Sequence, residues 1–295
     1  MKPDLRRLPR AAALAALPLL ALAAAALPAA AQTAWLFGER HDQRDHQRQV
    51  AHAVRQLAAE GRLHAVVLEM AERGARTAGL PRDAGEAEVQ AALRWSEAGW
   101  PWAAYRDVVM NAVAAGVPVH GGNLPRPVLR DAMREPKWDG AVPPEAHARL
   151  IDAVREGHCG MLPESQLAPM VRMQLARDRS LAETLAEAAR GAGREGVVLM
   201  LSGSVHASRA TGVPLQLPAV APQLKVRSIA FGAAGAPDKA EQAAGFDELR
   251  AARQEPGEDP CAELRRRGMP GLAPAAPKEA PSPGATPPAV PPGRG

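Results

Sequence analysis

Short apolar runs alternate with stretches of helical periodicity along most of this chain, and this alternation constrains its fold more than any other feature. Five runs have the length and composition of buried strands, namely 34–37, 64–70, 117–120, 196–201 and 224–231. The segments between them carry apolar residues at helical spacing. Strands that alternate with helices form βαβ units, so we predict an α/β fold with a mainly parallel sheet and helices on both faces.

The N-terminus differs in composition from this body. Residues 1–31 place four basic residues ahead of an apolar run and end in three alanines, a pattern typical of a secretory signal cleaved near Ala31. A retained membrane anchor is the alternative, but Pro18 interrupts the apolar run. No cysteine follows the run, so a lipid-modified N-terminus is not predicted. We expect a mature protein that is periplasmic or secreted.

The C-terminal part is rich in alanine, proline and glycine. We assign 32–232 to one α/β domain and 233–270 to a C-terminal extension, in which 246–253 forms a short helical patch. Residues 271–295 are predicted to be a disordered Pro-rich tail, because such a composition buries too little apolar surface to fold.

The net charge argues against nucleic acid as a partner. The chain carries +4, but residues 1–31 contain four basic residues and one acid, so the remainder carries only +1. A nearly neutral body does not attract nucleic acid or an acidic membrane surface. We therefore predict no nucleic-acid partner.

The sequence contains two cysteines, Cys159 and Cys261. In the oxidising compartment that the signal implies, such a pair is more often bridged than free. We therefore predict a disulfide, which would close a loop of about 100 residues.

Polar side chains follow four of the predicted strands at the point where each strand ends. Glu39 and His41 follow the first strand, Glu69 ends the second, Asn123 follows the third, and His206 follows the fourth. The carboxyl ends of parallel strands share one edge of a sheet, and ligands bind at that edge. We therefore predict a functional site there.

A Gly-x-x-His pattern occurs twice, each time directly after a core strand, and simple helix capping is the alternative explanation. The two histidines, His41 and His206, form with Glu69 a two-histidine, one-carboxylate set that suits zinc, manganese or iron. Glu39 is then placed as a general base on a metal-bound water. A metal-free site, with one histidine as base and the acids orienting it, stays open.

Other groups suit haem. Tyr105, the only tyrosine, is either a core residue or a phenolate ligand to haem iron. His158, in a turn beside Cys159, is either a second axial ligand or a plain loop residue. Arg126 and Arg40 suit haem propionates or a substrate carboxylate. Aromatic residues make up only 3% of the chain, which favours a surface or interfacial haem site over a deep pocket.

Seven motifs occur in a specific order between residues 34 and 231: Gly38-Glu39-Arg40-His41-Asp42, Leu68-Glu69-Met70, Trp102 with Tyr105, Asn123-Leu124-Pro125-Arg126, His158-Cys159, Gln174 with Arg177-Asp178, and Gly203 with His206. In this order they resemble the ChaN-like haem-binding proteins, a family grouped with the Tiki-type proteases and the erythromycin-esterase-like enzymes. The resemblance implies an α/β fold, export and a link to haem or iron acquisition. It also leaves room for a homodimer that holds haem between two subunits, and for outer-membrane haem-uptake machinery as a partner.

In the Tiki-type relatives, two Gly-x-x-His motifs and a glutamate form a metal-dependent hydrolytic site, which by position corresponds to His41, His206 and Glu69. We expect an exported haem-binding protein involved in haem or iron uptake, and a metal-dependent hydrolase is the alternative. The residues expected to contact haem are Tyr105, His158, Arg126 and Asn123.

Overall fold

The computed structural model describes residues 33–193, 195–233, 245–254 and 259–267. The predicted signal at 1–31 and the predicted tail at 271–295 lie outside these residues. Within them, no helix combines the length and apolarity that crossing a membrane requires.

Strands and helices alternate along the described chain as the apolar runs predicted. The strands are β1 (Thr33–Glu39), β2 (Leu63–Glu72), β3 (Val119–Asn123), β4 (Val197–Gly203), β5 (Lys225–Ala233) and β6 (Glu248–Ala252). The helices are α1 (Arg44–Ala59), α2 (Glu86–Ala92), α3 (Trp102–Ala114), α4 (Arg126–Ala132), α5 (Pro144–Gly157), α6 (Glu164–Ala188), α7 (Ser204–Ala207), α8 (Leu217–Val220) and α9 (Pro260–Arg267). Two short 3-10 turns lie at Pro136–Gly140 and Val213–Leu215.

The six strands form one sheet in the order β3-β2-β4-β1-β5-β6, and each pair of neighbouring strands is parallel. The predicted α/β fold is therefore confirmed. Because β2, β4 and β1 are neighbours in the middle of the sheet, their carboxyl ends lie side by side.

Helices cover both faces of this sheet. Side chains alternate along each strand, so Phe37 of β1 packs towards α1 and α3, whereas the preceding Leu36 packs towards α6. Strands buried on both faces need apolar residues at almost every position, which explains why the strand runs in the sequence are continuous rather than alternating. A third cluster, which includes Leu150 and Val171, packs α5 against the first half of α6.

A disulfide joins Cys159, in the turn after α5, to Cys261 in α9, as predicted. The two Cα atoms are 5.6 Å apart, and the bridge spans 102 positions of the sequence. It attaches the last described helix to the turn between α5 and α6.

The prediction of a helical patch at 246–253 is wrong, because this segment contains β6. Without β6, β5 would be an edge strand with unpaired backbone groups, and an adjoining segment can satisfy them. Asp247 secures the pairing at its start: its backbone N–H donates to Ser228 O, and its carboxylate accepts the Ser228 N–H, both at 2.8 Å. Part of the predicted C-terminal extension thus belongs to the sheet.

Candidate functional site

The site lies where β1, β4 and β2 end. The register pairs Glu39 of β1 with Gly203 of β4, and Leu68 of β2 with Leu201 of β4. Glu69, the residue after Leu68, therefore stands at the same level as the other two strand ends. Parallel pairing alone brings these segments together, although 164 positions separate Glu39 from Gly203 in the sequence.

Glu39 is buried and is held by three partners. The Tyr105 hydroxyl donates to Glu39 Oε1 at 2.8 Å, His41 Nδ1 lies 2.9 Å from the same oxygen, and the Gln47 amide donates to Oε2. The His41 ring packs edge-on against Trp100, with 4.8 Å between ring centroids, and its side chain is 40% exposed. His41 is therefore the solvent-accessible member of this group.

Burial controls the electrostatics of this pair. Burial raises the pKa of Glu39, and its hydrogen bonds to His41, Tyr105 and Gln47 offset this only in part. Burial would lower the pKa of His41, but the Glu39 and Glu69 carboxylates outweigh it and raise that pKa. The pair therefore holds a proton more tightly than either group does in water.

Glu69 is buried beside a second group of charges. The Gly203 N–H donates to Glu69 Oε2 at 2.8 Å, and Oε1 lies 3.4 Å from both Arg177 Nη1 and His206 Nε2. Burial opposes ionisation of Glu69, but the positive charges of His206, Arg177 and His41 hold its pKa at about 2. Glu69 is therefore a carboxylate at neutral pH.

Asp178 orients His206 from the opposite side. His206 Nδ1 lies 2.6 Å from Asp178 Oδ1, and both side chains are buried. Burial would lower the pKa of His206, but the Glu69 and Asp178 carboxylates raise it, whereas burial raises the pKa of Asp178 itself. A carboxylate on one ring nitrogen fixes the orientation of the imidazole, so Nε2 faces Glu69.

Asn123, at the end of β3, is joined to this group. Its amide donates to the Glu69 carbonyl at 2.9 Å, and its Oδ1 accepts from Arg177 Nε at 3.1 Å. Arg177 also donates to Gln174 Oε1 at 2.9 Å. The end of β3 therefore joins the site through the Glu69 backbone and through Arg177.

The glycines of the two Gly-x-x-His motifs allow these motifs to touch. A Cβ on Gly203 would lie 3.1 Å from His41 Nε2, and a Cβ on Gly38 would lie 2.8 Å from Ser204 Cα. At Gly38 the Ser204 backbone leaves no room for a side chain, whereas at Gly203 a Cβ would require the His41 ring to shift by a few tenths of an ångström. The two Gly-x-x-His motifs therefore lie against one another.

The structure brings most of the predicted site residues together: Glu39, His41, Glu69, Tyr105, Asn123 and His206. Arg126 is exposed at the first position of α4, close to Asn123 in sequence. His158 lies apart, in the turn that leads into α6. Arg177, which contacts Glu69, is 13 residues into that helix. At 1.5 Å per residue, the start of the helix, near His158, is therefore about 20 Å from Arg177 along the helix axis.

Several residues of the site were not predicted from the sequence. Gln47 has no motif that points to it, and Gln174, Arg177 and Asp178 form one of the seven motifs but were given no role in the site. In the structure these helical side chains contact Glu69, Asn123 and His206. The available signal was their three- and four-residue spacing, which places them on one face of α6.

The geometry gives the predicted divalent metal no support. Among the described residues, no group of three or more His, Cys, Asp or Glu side chains is arranged to hold a metal ion. The guanidinium of Arg177 lies beside both Glu69 and His206: its Nη1 is 3.4 Å from Glu69 Oε1 and 3.3 Å from His206 Nε2.

The fold and the site define this chain as an α/β protein with a parallel sheet, in which histidine–carboxylate pairs lie at the ends of the strands. Residues 26–217 match the model of a family described as haem-binding uptake, Tiki superfamily, ChaN. The match spans well over half of the chain, and the chain belongs to this family. No curated protein matches the sequence.

Two solved structures are similar to this chain. One is ChaN of Campylobacter jejuni, described for its cofacial haem binding, with 23% identity and a TM-score of 0.59 over 75% of this chain and 88% of that one. The other is the type III effector HopBA1, with 14% identity and a TM-score of 0.41 over the same shares. The first similarity supports the fold, and the second is too distant to carry an argument.

Proposed function

We propose that this chain is an exported haem-binding protein that takes part in haem or iron uptake. Membership of the ChaN family carries the proposal, and the similar Campylobacter jejuni protein binds haem cofacially. The Cys159–Cys261 disulfide supports export, since disulfides persist in oxidising compartments. A homodimer around haem and a partner in outer-membrane haem-uptake machinery stay predictions.

His158 is the ligand to haem iron that we propose. Its Nδ1 lies 2.7 Å from the Val154 carbonyl oxygen, which only accepts, so Nδ1 is the donor and Nε2 is the nitrogen that would bind the iron. The residue is partly exposed in the turn after α5. A histidine with one nitrogen bonded to a carbonyl and the other free is the usual form of a metal-binding imidazole.

Tyr105 suits this role less well. Its side chain is 1% exposed, and its hydroxyl donates to Glu39. Burial and the Glu39 carboxylate raise the pKa of the phenol, so the phenolate that binds ferric haem is disfavoured. Asn123 is likewise occupied by Glu69 and Arg177, whereas the exposed Arg126 suits a propionate at the strand-end edge.

A hemin titration followed by the Soret band tests this proposal. We expect His158→Ala to weaken hemin binding at least about tenfold, because it removes the imidazole nitrogen that would bind the haem iron. His52→Ala, which removes an exposed histidine of α1, and Tyr105→Phe should both bind like the unaltered protein. Unchanged binding by His158→Ala would exclude this ligand, and a Soret band that never shifts would contradict haem binding itself.

A second candidate function is hydrolysis at the Glu39–His41 pair, with His41 as the general base and without a metal ion. The observation in its favour is an exposed imidazole whose Nδ1 contacts a buried carboxylate, the arrangement of an oriented general base. Asp178 and His206 form a similar pair beside it.

Hydrolysis of an activated ester such as p-nitrophenyl acetate tests this candidate. We expect His41→Ala to lower the rate by about 10²-fold or more, the usual contribution of a general base, with His52→Ala as control. The rate should rise with pH through a pKa above 6.5, because the histidine must lose a proton that Glu39 and Glu69 help to retain. Chelators should have no effect. A rate that His41→Ala leaves unchanged would refute the candidate.

A further inference from the structure

One atom each of Glu69, Arg177 and His206 form a nearly equilateral triangle. Arg177 Nη1 is 3.4 Å from Glu69 Oε1 and 3.3 Å from His206 Nε2, and the last two atoms are 3.4 Å apart. We propose that Arg177 is the built-in cation of this site and takes the place in which a divalent metal would join Glu69 to His206.

The distances show why an ion and Arg177 exclude one another. A metal bound to both atoms would lie about 2.0–2.2 Å from each of them. On the side of Arg177, such an ion would overlap the guanidinium, and on the other side it would remain within about 4 Å of a like charge.

Arg177 cannot easily move out of this position. Its Nε donates to Asn123 Oδ1 at 3.1 Å and its Nη1 donates to Gln174 Oε1 at 2.9 Å, while its side chain is only 16% exposed. Both of these partners are neutral amides, so the positive charge is directed to Glu69. The helix and the end of β3 therefore hold the guanidinium from two sides.

A permanent cation gives this site a property that a metal cannot supply. Glu69 is buried and needs a positive partner, and a guanidinium keeps its charge at any pH at which the protein is folded. Arg177 thus acts as a positioning residue that holds Glu69 against the Gly203 N–H.

Metal analysis of the purified full chain tests this inference. We expect the unaltered protein to contain no stoichiometric zinc or manganese and no iron beyond that of bound haem, and to show no visible ligand-field absorption when Co²⁺ is added. Arg177→Met removes the charge and keeps the length of the side chain. We expect it to bind Co²⁺ at least about tenfold more tightly and to gain thermal stability when Co²⁺ or Zn²⁺ is added.

Two matched variants serve as controls. Arg177→Lys keeps a cation and should stay metal-free, while Arg179→Met removes a surface arginine of the same helix that pairs with Glu183, and should behave like the unaltered protein. Adding His206→Gln to Arg177→Met should abolish the Co²⁺ band.

The inference would be overturned by about one tightly bound metal per unaltered chain that His206→Gln removes. It would equally be overturned if Arg177→Met bound Co²⁺ no better than the unaltered protein does. Should Arg177→Met be insoluble, the metal content of the unaltered protein decides alone. None of these readouts involves haem, so they are independent of the proposed function.

Discussion

Removal of the Cys159–Cys261 disulfide is expected to lower the free energy of unfolding by about 4–5 kcal/mol, one of the two largest effects that the structure predicts. The bridge spans 102 positions, and the entropy lost by the unfolded chain grows with the size of the closed loop. The bridge also holds α9 at the turn between α5 and α6, so its removal should free the C-terminal helix before the sheet unfolds.

Urea unfolding of the unaltered protein and of the Cys159→Ser/Cys261→Ser double variant measures this effect. Reductant should destabilise the unaltered protein to the level of the variant and leave the variant itself unchanged. A stability difference below about 1 kcal/mol would mean that the bridge does not restrict the unfolded chain as the loop model requires.

Glu69→Gln is expected to destabilise the protein by about 3–5 kcal/mol at neutral pH, because it leaves the largely buried Arg177 without its carboxylate partner and His206 with only Asp178. It should also remove part of the acid sensitivity. The pKa of Glu69 is about 2, against an ordinary value of 4.5. The ionised form therefore contributes about 3 kcal/mol that is fully present above pH 4.5 and is lost as the pH falls towards 2.

The free energy of unfolding, measured at several pH values between 2 and 7, tests this prediction. The difference between the unaltered protein and Glu69→Gln should be largest near neutral pH and should shrink as the pH falls. Glu183→Gln is the matched control, since Glu183 is a partly exposed carboxylate whose arginine partners lie at the surface, and it should cost less than about 1 kcal/mol. A pH dependence that Glu69→Gln does not alter would contradict the assigned pKa.

The five core strands were predictable because parallel strands buried on both faces must be apolar at successive positions, which leaves a visible run in the sequence. The strand ends were predictable for the same reason, since Glu69 stands at the end of such a run and Glu39, Asn123 and His206 each come two to five residues after one. The edge strand β6 carries no comparable signal. Its pairing with β5 depends on backbone groups that any short adjoining segment can satisfy, so 246–253 was mistaken for a helix.

The repeated Gly-x-x-His pattern identified both histidines, but it did not show that each glycine supports the other motif. That contact exists only when β1 and β4 lie side by side, because it joins residues far apart in the chain. Tyr105 is a similar case. It was considered as a haem ligand because it is the only tyrosine of the sequence. In the structure it is buried, and its hydroxyl donates a hydrogen bond to Glu39.

The amino-acid sequence alone determined the α/β class, the family, the cysteine pair and the strand ends at which acids and imidazoles gather. These features follow from local periodicity and from the order of motifs, both of which can be read along the chain. The tertiary structure decided which charge stands between Glu69 and His206. That charge comes from Arg177 on a helix packed across the sheet, and only the packing of that helix determines where its side chains point.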